Sequence, residues 1–142
     1  MPKTLEKIEA FLEEHHLLSL ATSADNRPQV SNLFYVYETK TQSFIVASDT
    51  KTQHIKNVML NQDVACSVAL ETDEIGKIQG VQCQAKMVEA LDDAAKKCYF
   101  DMFPYARVML PKLWRIQLHY IKFTDNRLGF GKKLIWTDEL SE

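Results

Sequence analysis

Residues 48–54, Ser-Asp-Thr-Lys-Thr-Gln-His, hold the densest set of groups able to do chemistry in this 142-residue chain. Ser48, Thr50 and Thr52 bring hydroxyls, while Lys51 and His54 bring positive or hydrogen-bonding heads. The stretch lies where a strand-like run, SFIVAS, gives way to helical spacing at Ile55, Val58 and Met59. The first turn of a helix offers unpaired backbone N–H groups and the positive end of its dipole, which suits a phosphate. The same residues also meet a plainer need, with Ser48 or Thr50 capping the helix and Lys51 in solvent.

Other signatures of chemistry are incomplete or absent in the sequence. Gly131 and Lys132 end like a phosphate loop, but position 126 is Asn and no Ser or Thr follows Lys132. No G-x-G-x-x-G follows a strand, and no G-x-S-x-G is present. His15, His16, His54 and His119 include no H-E-x-x-H and no i,i+4 pair, so no metal site is expected. Cys66, Cys83 and Cys98 are odd in number and lack a CxxC, which argues for reduced, buried thiols in a cytoplasmic protein. Asp92 and Asp93 read as helix-start charge rather than an acid/base pair. No catalytic residue is assigned.

The elements that must position the 48–54 stretch follow from periodicity. Leu5, Ile8, Phe11 and Leu12 predict a helix over residues 4–16, with Thr4 as its cap. Residues 17–22, 29–38 and 43–48 read as three strands of an antiparallel meander, with a turn over residues 23–28. A helix over residues 50–61 follows, with Ile55, Val58 and Met59 on one face. Val64, Cys66, Val68 and Leu70 share one strand face; Val81, Cys83, Ala85 and Met87 share another, alternating with Gln82, Gln84 and Lys86. Asp92 is placed to cap a helix bearing Ala95, Tyr99, Met102 and Phe103, stopped by Pro104. Trp114, Ile116, Leu118 and Tyr120 give way to Ile121 and Phe123, a parity shift that predicts a β-bulge. A final short strand ends at Trp136. These runs predict a mainly β fold, a β-barrel with helices: six or seven antiparallel strands with about three helices in one domain over residues 1–142.

Composition narrows the partners. Net charge is −2 with the basic residues scattered, so nucleic acid is not an expected partner. No apolar run approaches the ~20 residues that span a membrane, so a membrane is not one either.

In order along the chain, HHLLSLAT, RPQVSNLFYVYE with SFIVAS, DTKTQHIKNVMLNQDVACSV, GVQCQAKMV and IKFTDNRLGFGKKLIW resemble the pyridoxamine 5′-phosphate oxidase-like FMN-binding split-barrel superfamily. The last string is the most specific, because it matches one bacterial branch, the YhbP-like proteins. The resemblance implies an FMN-binding split β-barrel and a homodimer with an FMN at each interface. It places the flavin phosphate after the third strand, on a Ser-Arg-Lys-like triplet whose positions here are Thr52, Gln53 and His54. Neither the Arg nor the Lys is kept, and Lys51 stands in for one charge. The isoalloxazine is implied to lie along the strands of Asn32, Ala47 and Ser48, with Gln82 as a facing donor and Lys132 reaching from the partner subunit.

The implied activity is that of an FMN flavoprotein, a flavin-dependent oxidoreductase acting on a small molecule. Two competitors stay open: a non-catalytic module holding haem or another flat ligand through His54 or His119, and a dimeric regulatory protein with an empty groove.

Overall fold

A computed structural model describes residues 2–140. Leu17–Ala24 (β1) and Arg27–Glu38 (β2) form a hairpin around Asp25 and Asn26, whose φ values are 53° and 62°. Positive φ at both central positions gives the turn the twist that its strands require, and Asp and Asn tolerate it. Ser43–Ala47 (β3), Asp63–Ala69 (β4), Gln79–Glu89 (β5), Leu113–Asp125 (β6) and Lys133–Thr137 (β7) complete seven antiparallel strands in the order β3-β2-β1-β4-β5-β6-β7. A further pairing of β3 with β6 closes the sheet into a partial ring, a split barrel.

One strand closes the ring because it changes partners along its length. Residues 113–117 of β6 pair with β3 and residues 120–124 pair with β7. Between them the parity shift appears as the expected bulge: Gln84 faces Tyr120 while Ala85 faces Leu118, leaving His119 as the extra residue. Trp114, Ile116 and Leu118 are buried before it, and Ile121 and Phe123 after it. Tyr120, expected on the inner face, is instead on the face of Gln84, because the bulge comes one residue earlier than the apolar pattern suggests.

The barrel interior holds Leu18, Leu20, Tyr35, Phe44, Met87 and Ile116, with Ile8, Phe11 and Leu12 of helix Pro2–Glu14 (α1) closing one side. Thr4 is inside α1 rather than capping it, since Pro2 suits the first helical position. Tyr35 Oη donates to Leu12 O at 2.6 Å and Tyr37 Oη to Glu9 Oε2 at 2.6 Å. These bonds tie β2 to α1, and burial pushes both phenols above their ordinary range. Cys66 and Cys83 face one another across β4 and β5, both buried, whereas Cys98 is only half-buried.

Gln53–Leu60 (α2) is shorter than its expected span. Its cap is Thr52, whose hydroxyl accepts from Ile55 N at 3.3 Å, so neither Ser48 nor Thr50 fills that role. Ile55 and Val58 are buried as spacing predicts, but Met59 is 68% exposed and Asn57 is buried. Polar pairing decides the orientation. Asn57 Nδ2 donates to Thr22 Oγ1 at 3.1 Å, and Asn57 Oδ1 accepts from Gln53 Nε2 at 2.9 Å.

Asp93–Met102 (α3) starts at its expected cap, Asp92, which accepts from Ala95 N at 3.1 Å. It covers a second core of Val36, Ile45, Ala95, Tyr99, Phe100 and Leu113, while Met102 faces solvent. Arg115 pins this layer: its guanidinium reaches Glu38 Oε1 and Asp92 Oδ1, each at 2.9 Å. The Arg115 hydrogen bond holds the Asp92 carboxyl below its usual range. No helix among the described residues is long and apolar enough to cross a membrane.

Candidate functional site

The end of β3 and the start of α2 bring their hydroxyls onto one imidazole. Ser48 Oγ lies 2.6 Å from His54 Nε2, and Thr52 Oγ1 lies 3.4 Å from the same nitrogen. Ser31 Oγ of β2 meets His54 Nδ1 at 3.1 Å, so both ring nitrogens are engaged. Burial lowers the His54 pKa from its ordinary value, which leaves a neutral imidazole at pH 7.

Local turns fix these groups. Asp49 turns its carboxylate onto its own loop, accepting from Lys51 N at 2.8 Å, while its carbonyl accepts from Thr52 N at 3.1 Å and Thr52 Oγ1 at 2.8 Å. Ser48 is clamped through its backbone: its N–H donates to Lys112 O and its carbonyl accepts from Trp114 Nε1, both at 3.0 Å. The side chain of Ser48 is thus presented from a fixed strand end. Lys51 is exposed beside the cluster.

Of the sequence-derived candidates, Ser48, Thr52 and His54 come together, with Lys51 alongside. Gln53 is adjacent in the chain, but its amide is spent on Asn57. Ala47 pairs with Leu113 next to Ser48. Asn32 and Gln82 belong elsewhere, to the outer face of the sheet. There Asn32 faces Ser19, Ser19 faces Ser67, Ser67 faces Gln82, and Gln82 faces Lys122, giving one polar row across five strands. Ser19 Oγ donates to Asn32 Oδ1 at 3.0 Å within that row. Lys132 is exposed on the turn joining β6 to β7 and takes no part in the His54 cluster.

Sequence reasoning missed Ser31 and Trp114. Ser31 carried one usable signal, a polar residue at the strand parity where Leu33 and Tyr35 point inward. Among the described residues no three His, Cys, Asp or Glu side chains gather as a metal site would need.

The split barrel that carries this cluster is shared with known proteins. The profile described as pyridoxamine 5′-phosphate oxidase matches residues 4–123. The chain belongs to the pyridoxamine 5′-phosphate oxidase family. A UPF0306 protein of Cronobacter sakazakii is 36% identical over 135 residues, 93% of this chain and 94% of the relative. The UPF0306 protein YhbP of Escherichia coli is 34% identical over 137 residues, 94% and 93% of the two chains.

Solved structures agree on the fold of this pyridoxamine 5′-phosphate oxidase family member. A heme binding protein of Mycobacterium smegmatis superposes with a TM-score of 0.81 at 14% identity, over 96% of this chain and 58% of that one. A NimC/NimA family protein of Clostridium acetobutylicum gives 0.70 at 15% identity, over 94% and 93%. A FAD-binding protein of Mesorhizobium loti gives 0.66 at 17% identity, over 82% and 89%.

Proposed function

We infer that this protein is a flavoprotein that seats the phosphate of FMN on Ser48, Thr52 and His54, and works as an oxidoreductase on a small molecule. One observation carries the reading: two hydroxyls and an imidazole converge within 3.5 Å of one another over the first turn of α2. The donor set fits a phosphate, since Ser48 and His54 can donate, the Thr52 hydroxyl can turn from the Asp49 carbonyl to do so, and the one nearby carboxylate, Asp49, is turned onto the Lys51 amide. Lys51 adds a mobile positive head. The exchange is direct: an incoming phosphate oxygen replaces the Ser48–His54 contact. When bound, the flavin supplies the hydride or electron transfer, and the chain supplies position and hydrogen bonds.

A homodimer belongs to the same proposal. The outer row of Asn32, Ser19, Ser67 and Gln82 is flanked by Val30, 68% exposed, and Phe34, 61% exposed, an apolar rim suited to a second copy. Equilibrium FMN titration against riboflavin tests the cofactor reading, with sedimentation for the dimer. The expected result is tighter binding of FMN; equal affinities, or none, overturn it.

Haem is the second reading, favoured by the fold likeness to the Mycobacterium smegmatis protein and by His119. That bulged residue lines an open cavity of about 550 Å³ with Ala21, Ala65 and Gln84. A Soret band on adding haemin that is lost in His119→Ala selects this reading over FMN.

A further inference from the structure

A second cavity, of about 440 Å³, lies where α3 meets the segment entering β6. Its apolar parts are the buried ring of Phe100, the start of β6 at Leu113, and two leucines, Leu91 and Leu110, that are 72% and 86% exposed. Three cations share the lining, Lys96, Arg107 and Lys112, against a single carboxylate among the described lining residues, Glu89. Glu89 already pairs with Lys112 at 3.2 Å. Arg107 stacks over the Phe100 ring at 4.7 Å, which holds its guanidinium beside the apolar lining. Among the described residues neither Lys96 nor Arg107 has a carboxylate within ion-pair distance.

Two uncompensated cations beside apolar walls, in a protein of net charge −2, define a complementary ligand. We propose that this cavity binds an amphipathic organic anion, a carboxylate or phosphate carried on an apolar body of bicyclic size. The apolar body covers Phe100 and the two exposed leucines. The anionic head pairs with Arg107, whose planar fork donates to two oxygens at once, and with Lys96. A purely apolar ligand leaves both cations unanswered, and a small inorganic anion leaves the leucines wet. The site is separate from the Ser48 and His54 cluster, although Lys112 in its wall accepts the Ser48 N–H through its carbonyl.

Amide chemical-shift titration with 2-naphthoate, using the neutral 2-naphthylmethanol as comparator, tests the assignment. The expected result is saturable shifts at Leu91, Phe100 and Leu110, with naphthoate bound about tenfold more tightly than the alcohol. Arg107→Gln is expected to erase that preference. Lys96→Gln, at an exposed helix position and free of the Phe100 contact, halves the charge without touching the apolar floor and is expected to weaken naphthoate alone. Equal binding of acid and alcohol, shifts confined to Thr52 and His54, or full preference surviving in both variants overturns the proposal.

Discussion

Proton linkage gives the sharpest perturbation of the phosphate reading. In the free protein, burial keeps His54 neutral, so the unfolded chain binds more protons than the native one through the imidazole range. The sign follows: His54 contributes stability that is present above its ordinary pKa and lost as pH falls below it. A seated phosphate reverses this preference, because an imidazolium donates to a dianion and a neutral ring does so more weakly. FMN binding then takes up a proton. A charged hydrogen bond is worth about 1.5–3 kcal/mol against about 1 for a neutral one. His54 is only partly buried, so the low end applies and the difference is about 0.5 kcal/mol, roughly twofold in affinity. FMN dissociation constants are to be measured by flavin fluorescence between about pH 8 and about pH 6.5, above the second ionisation of the phosphate itself. FMN is expected to tighten by up to about twofold over that range, riboflavin to stay level, and His54→Gln to remove the slope while FMN still binds. A slope that survives in His54→Gln, or that riboflavin shares, refutes the assignment of His54 to the phosphate.

Lys51→Ala is expected to weaken FMN severalfold and leave riboflavin unchanged in the same titration, since an exposed lysine acts on charge alone. Arg115→Met leaves Glu38, whose side chain is 10% exposed, as an unpaired buried carboxylate, and is expected to cost about 3 kcal/mol in urea unfolding. Adding Glu38→Gln is expected to recover most of that loss, because the uncompensated charge is gone. Cys98 is expected to react first with an aromatic disulfide reagent, with Cys66 and Cys83 protected until the barrel opens, as timed absorbance of the released thiolate would record.

The alternation of Val81, Cys83, Ala85 and Met87 made β5 legible, since one wet and one dry face impose a period of two. The parity break after Tyr120 likewise disclosed the bulge, though not that His119, one residue earlier, is the residue expelled. Helical spacing alone misplaced Met59, because Asn57 finds buried partners in Thr22 and Gln53 and rotates α2 toward them. The candidate site was half legible. Ser48, Thr52 and His54 are close in sequence, so a strand end and a helix start suffice to gather them. Ser31 comes from a strand 23 residues away, and Asn32 and Gln82 share a face only through pairings that run across the sheet. Such long-range register leaves no local trace.

A crystal soaked with FMN gives the most direct test. The expected density places the phosphate within hydrogen-bond reach of the Ser48 and Thr52 hydroxyls and the His54 imidazole, with the Ser48–His54 contact opened. Flavin density whose phosphate lies away from the start of α2, with that contact intact, contradicts it.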